Sequence, residues 1–126
     1  MSALINECKN RGIGFSINVQ EDVREFAKKF DIEERMLKTG FSYYPKDVPE
    51  KGNRIFKIGY TSNKDRFFLE LNIDFNYSDI IENQEHMLIL SDDDRKNLHA
   101  GGVKACYLSD NIELAKKLIE TSIKSI

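Results

Sequence analysis

Tryptophan is absent from this chain, and cysteine, proline and histidine occur only twice each. Each scarcity removes a class. Two cysteines, Cys8 and Cys106, cannot make a disulfide-dense scaffold, and no paired CxxC offers the thiolates of a structural zinc site. They read as free buried thiols. Two prolines in 126 residues rule out a polyproline stalk, and no repeat or low-complexity tract marks a linker. No apolar run reaches the roughly 18 to 20 residues that cross a bilayer. The opening residues carry Glu7, Lys9 and Arg11, unlike a signal peptide or anchor. The expected location is the cytoplasm.

What the chain does contain describes an ordinary globular domain. Hydrophobic residues make up 40% and charged residues 32%, too apolar for general disorder. A length of 126 residues suits one core without staples, so residues 1–126 are read as a single domain.

Periodicity gives the elements. Leu4, Ile5 and Cys8 make a short helical stripe ending near Gly12 and Gly14, and Phe15, Ile17 and Val19 alternate like a strand. Val23, Phe26, Ala27, Phe30 and Leu37 fall on one helical face, predicting a helix from about Val19 to Lys38. Asn18 and Glu21 have capping-box spacing at its start, and Thr39-Gly40 provides a stop. Pro45 and Pro49 predict a surface loop over 41–53, with Tyr43 and Tyr44 covering a core edge and keeping their hydroxyls in water.

Phe67, Leu69, Leu71, Ile73 and Phe75 alternate strictly with Phe68, Glu70, Asn72 and Asp74, the clearest strand of the chain. Phe56, Ile58 and Tyr60 form its hairpin partner across the polar turn 62–65. Met87 to Leu90 and Val103 to Leu108 read as two more strands. Ser91 is an N-cap for a short helix opened by Asp92, Asp93 and Asp94 and closed at Gly101-Gly102. Asp110 and Glu113 have capping-box spacing before a terminal helix carrying Ile112, Ala115, Leu118, Ile119 and Ile123. The expected fold is α+β, a mainly antiparallel sheet of about four or five strands with N-terminal, central and C-terminal amphipathic helices packed on it.

Chemistry-bearing motifs are missing. Gly12-Ile13-Gly14 lacks the third glycine of a dinucleotide loop, and there is no GxxxxGK[ST], HExxH or GxSxG. No cofactor is expected. His86 and His99 lack the i, i+4 spacing of a metal-binding helix, and adjacent aspartates at 92–94 cannot reproduce the alternating ligands of a calcium loop. Glu70 and Asp74, four residues apart on a strand, would stand roughly 13 Å apart, too far for one ion to bridge directly. No metal site is expected.

One distribution stands out. Between Phe67 and Asp94 there is no lysine or arginine, while Glu70, Asp74, Asp79, Glu82, Glu85, Asp92, Asp93 and Asp94 supply eight acids. The formal charge of −2 conceals this segregation. The plain structural reading places these acids on strand faces, loops and a helix start, with basic side chains brought near by folding. The functional reading is an acidic surface that speeds encounter with a basic protein. Nucleic acid as a direct ligand would need a basic stripe instead.

Three functions follow from different classes. The first is a small protein-binding module that blocks a basic partner, most concretely an immunity or inhibitor protein neutralising a nuclease-type toxin. Glu70, Asp74, Asp79, Glu82, Glu85 and Asp92 to Asp94 would supply the surface, with Tyr77 or Phe68 as aromatic contacts. No residue is assigned a catalytic role on this reading. The second is a motif-poor hydrolase or nuclease using Glu70, Asp74, His86, His99 or Cys106, where His86 and Cys106 could meet as base and nucleophile. The third is a structural subunit or adaptor of a larger complex, which predicts a broad apolar patch.

Overall fold

The strand with the strongest alternation, β5 (Arg66–Leu71), lies inside the sheet and is covered on both faces. Phe67, Leu69 and Leu71 point to one side and Phe68 and Glu70 to the other, and all five are buried. Its hairpin partner β4 (Phe56–Tyr60) pairs with it antiparallel from Phe56↔Leu71 to Tyr60↔Phe67, across the expected turn. The computed structural model describes residues 3–49, 53–81 and 84–126.

Among the described residues the sheet has seven strands, all paired antiparallel. Beyond β4 and β5 these are β1 (Phe15–Ser16), β2 (Ile32–Leu37), β3 (Gly40–Pro45), β6 (Met87–Ile89) and β7 (Ala105–Tyr107). Their order is β2-β3-β4-β5-β7-β6, with β1 pairing the first residues of β5 beside β7. The α+β class is as expected; the strand number is larger than four or five.

Both extra strands come from the segment read as a long helix and a proline loop. The helix α2 covers only Gln20–Ala27, and its apolar stripe ends at Phe30, which packs edge-on against Phe26. Residues 32–37 pair with 40–45 as the β2–β3 hairpin, from Ile32↔Pro45 to Leu37↔Gly40. Helical spacing of Leu37 was coincidental: its side chain is partly exposed on the edge strand. Pro45 ends β3, where no further ladder donor is needed. Tyr43 and Tyr44 are therefore buried strand residues rather than loop residues, and the Tyr43 hydroxyl bonds Glu34 instead of standing in water.

Smaller corrections concern ends. Ile17–Val19 is a turn of 3-10 helix capped by Ser16, which accepts from the Asn18 amide, and α2 starts after Val19 without a side-chain cap, so Asn18 does not cap the central helix. The β5 strand stops at Leu71, so Asp74 lies beyond it. The N-cap of α3 (Asp92–Asn97) is as read, Ser91 accepting from the Asp94 amide and Asp94 from that of Ser91, but the helix ends at Asn97 with Leu98 as its C-cap, short of Gly101-Gly102. The last helix, α4 (Ile112–Lys124), is capped by Asn111, whose side chain accepts from the Leu114 amide, instead of by Asp110.

Two cores flank the sheet. On one face α2 and α4 pack Val23, Ala27, Ala115, Leu118 and Ile119 onto Phe15, Tyr43, Phe56, Ile58, Phe67, Leu69 and Tyr107. On the other, α1 (Ala3–Arg11) packs Leu4, Ile5 and Cys8 onto Phe68, Leu88, Cys106 and Leu108. Each such aliphatic or aromatic side chain contributes about 1.5–3 kcal/mol when fully buried. No helix among the described residues is long and apolar enough to cross a membrane.

Candidate functional site

The sheet register decides where the acids go. Leu71, Ala105 and Ile89 stand abreast across β5, β7 and β6. The chain leaves β5 towards Asp74 and β6 towards Asp92 to Asp94 at this same end of the sheet. At the opposite end Tyr107 stands abreast of Met87, and Leu108 donates its amide to the His86 carbonyl at 2.8 Å. Glu85 and Asp110 therefore belong to that second end. Asp79 lies on the segment crossing from one end to the other, so the acids form two groups rather than one row.

Asp74, Asp79, Glu85, Asp92, Asp93 and Asp94 are all exposed, whereas Glu82 lies outside the described residues. Folding answers part of the charge at the first end. Asp92 pairs with Arg95, and Asp94 serves the helix cap. Lys104 and Arg54 approach the same end, Lys104 donating to the Leu71 carbonyl through its amide and Arg54 holding Asn72 at 3.0 Å.

Three expected contact residues are interior. Glu70 is 4% exposed and Tyr77 5%, because β5 is covered on both faces and Tyr77 joins the α2/α4 core. Neither offers a surface to a partner in this fold. Phe68 is likewise buried under α1. Glu70 lies opposite Lys57 with Oε2 3.9 Å from Nζ. Burial pushes its carboxyl above the usual range, opposed by Lys57 and Arg54. A side chain at Gly59 would collide with this carboxylate, an ideal Cβ standing 2.2 Å from Oε2.

The groups proposed for catalysis do not converge. Cys106 is fully buried, and the Cys8 thiol as hydrogen-bonding neighbour, together with burial, holds its thiol well above the ordinary range. His86 is exposed, so the two do not form a base and nucleophile pair. His99 sits in the turn after α3 with a left-handed φ of 52°. Among the described residues no group of three or more His, Cys, Asp or Glu could hold a metal ion.

At the second end the folding creates a cleft of about 300 Å³. One wall is Arg11, Gly12 and Ile13, where α1 ends; Glu85 and His86 face it from the approach to β6. Leu108, Ser109 and Asp110 close it where β7 leaves the sheet. Gly12 allows the close approach, since a Cβ there would lie 2.4 Å from that of Leu108. Apart from Glu85 and His86, which are adjacent in the chain, nothing in the residue order pointed to this grouping. It depends on β6 and β7 being neighbours, and Asp110 had a competing reading as a helix cap.

A second polar cluster is structural. Arg24 on α2 grips Glu34 of β2 through two bonds, Nε to Oε2 at 3.1 Å and Nη2 to Oε1 at 2.9 Å, and stacks over Phe41. Tyr43 donates to the same carboxylate at 2.6 Å. Burial alone would raise the Glu34 carboxyl, but the bonds from Arg24 and Tyr43 bring it below its ordinary value. This arrangement ties α2 to the β2 edge and offers no open position to a ligand.

No family model, curated protein or solved structure matches the chain.

Proposed function

We propose that this chain is a protein-binding module that engages and blocks a basic partner, most concretely an immunity or inhibitor protein of a nuclease-type toxin. The observation that carries this reading is the exposure of Asp74, Asp79, Glu85, Asp92, Asp93 and Asp94 on a chain segment without lysine or arginine from 67 to 94. The reading takes the exposed carboxylates at both ends of the sheet and on the crossover between them as sources of negative potential. Such a field accelerates encounter with a cationic surface and orients it. The dispersal of Glu70, Cys106, His86 and His99 favours this over catalysis.

The test is capture from the native host with the tagged chain, at low and high salt, followed by kinetics with the purified partner. One stoichiometric basic protein, released by salt, is expected. Asp92→Lys with Asp93→Lys should slow association about tenfold, Asp94 being kept because its carboxylate caps α3, with thermal unfolding as the check that the variant folds. A partner that binds equally well to this variant removes the acidic surface from the reading. In the toxin form, equimolar addition of this chain should also abolish the partner's cleavage of nucleic acid.

A hydrolase remains the second reading, on one observation: His86 lines the cleft together with Ser109 and Asp110. Turnover of an ester or phosphodiester panel that is lost in His86→Ala would establish it.

A further inference from the structure

We propose that β2 is a self-pairing edge through which two copies of this chain join their sheets around a two-fold axis. Among the described residues β3 is its only ladder partner, and it stands at one edge of the sheet with β6 at the other. It holds six residues against three in β6, contains no proline, and pairs without interruption from Ile32 to Leu37, so neither proline nor bulge blunts it.

The register fixes which backbone groups face outward. The Thr39 carbonyl accepts from the Tyr60 amide at 2.9 Å, which continues the β3–β4 ladder through Phe41↔Ile58 and Tyr43↔Phe56. The alternate residues Gly40, Ser42 and Tyr44 therefore turn to β2, opposite Leu37, Arg35 and Glu33. Ile32, Glu34 and Met36 face the other way. The Ile32 amide is taken by the Phe30 carbonyl at 2.9 Å, which leaves the amides of Glu34 and Met36 and the carbonyls of all three for a further strand.

A second copy fits this edge by its own charges. Pairing Glu34 with Glu34 of the second copy sets Ile32 opposite Met36 and Glu33 opposite Arg35, each twice by symmetry. Met36, 77% exposed in the single chain, thereby gains an apolar neighbour. Glu33 and Arg35 already bond each other within the chain at 2.7 Å, and two such pairs set in opposite directions form a ring of alternating charge without breaking either bond. A slip of two residues either way would set Arg35 against Arg35 or Glu33 against Glu33, so charge selects one register. The two Glu34 carboxylates each keep the Arg24 of their own chain as counter-ion. The exposed acids lie on segments next to β5 and β6, away from β2, so a dimer joined here carries two acidic sides.

Sedimentation equilibrium of the intact chain from about 10 μM to about 1 mM, with amide hydrogen exchange by NMR as the residue-level readout, tests this. Monomer and dimer in equilibrium are expected, with the Glu34 and Met36 amides exchanging more slowly as concentration rises. Met36→Pro removes an outward amide that the β2–β3 ladder does not use and should abolish the dimer. Arg35→Glu should weaken it about tenfold, and Glu33→Arg added to Arg35→Glu should restore it, because the exchange rebuilds the same alternation. Thermal unfolding checks each fold, and the charge exchange decides the matter if the proline variant does not fold. A monomer throughout, an open-ended assembly, or a dimer indifferent to these variants overturns the proposal. Protection of the two amides that arises only on adding a captured basic protein would assign the edge to that protein and overturn it equally.

Discussion

Lys57 and Glu70 face each other across β4 and β5 with Nζ 3.9 Å from Oε2, at 10% and 5% side-chain exposure. The lysine is better satisfied than the acid, donating to Thr39 Oγ1 at 2.8 Å, while Oε2 accepts no hydrogen bond. Removing only the acid strands a buried ammonium. Glu70→Ala should therefore cost about 3–5 kcal/mol in urea unfolding, whereas Lys57→Met with Glu70→Leu should come back to within about 1 kcal/mol of the natural chain. A single variant as stable as the double would mean that the charges are wetted in solution.

Glu34 and Glu70 should contribute to acid stability with opposite signs. The folded-state carboxyl of Glu34 titrates below its ordinary 4.5, so its contribution is complete above that value and is lost as pH falls through the lower, folded value. Glu70 is raised by burial, so its contribution is complete below 4.5 and is lost as pH rises through its folded value. Denaturation midpoints across about pH 3 to 7 should show Glu34→Gln flattening the acid-side loss and Glu70→Gln flattening the decline above it. Parallel profiles for the two variants would refute the assignment.

Gly40 is a point where side-chain absence is required. It closes the β2–β3 hairpin at φ +141°, and an ideal Cβ would lie 1.8 Å from the Ile58 carbonyl oxygen. Gly40→Ala should lose at least about 1–3 kcal/mol of stability through backbone strain. Gly101, at φ +57° with open space around it, should tolerate alanine better. Thermal unfolding of the pair distinguishes a local clash from a general intolerance of positive φ.

Cys8 and Cys106 are free, fully buried and neighbours in the α1 core. A thiol reagent should find both in denaturant and react slowly with the native protein. Rapid native labelling of either would show that α1 opens readily from the sheet.

The legibility of the chain followed the range of the forces involved. Alternation at 67–71, the hairpin at 56–71, the Ser91 cap and the α4 stripe are set by neighbours close in sequence, and all are present in the structure. The hairpin at 32–45 was hidden because Val23 to Leu37 also fit a helical stripe, and only pairing with β3 discriminates between the two. Glu70 illustrates the same limit within a site. Its alternating position says that it faces away from Leu69, but only α1, arriving from the other end of the chain, determines that this second face is buried.

The sequence by itself determined the class of fold, the acidic segregation from 67 to 94 and the lack of a motif for cofactor or metal, because composition and short periodicities carry those properties. Tertiary structure decided which acids reach solvent, the separation of His86 from Cys106, and the cleft joining Ile13, Glu85 and Asp110. Those outcomes depend on the strand order β5-β7-β6 and on which helix covers each face. Such long-range pairings are selected by the burial and backbone hydrogen bonding of the whole sheet, which no local stretch of residues encodes.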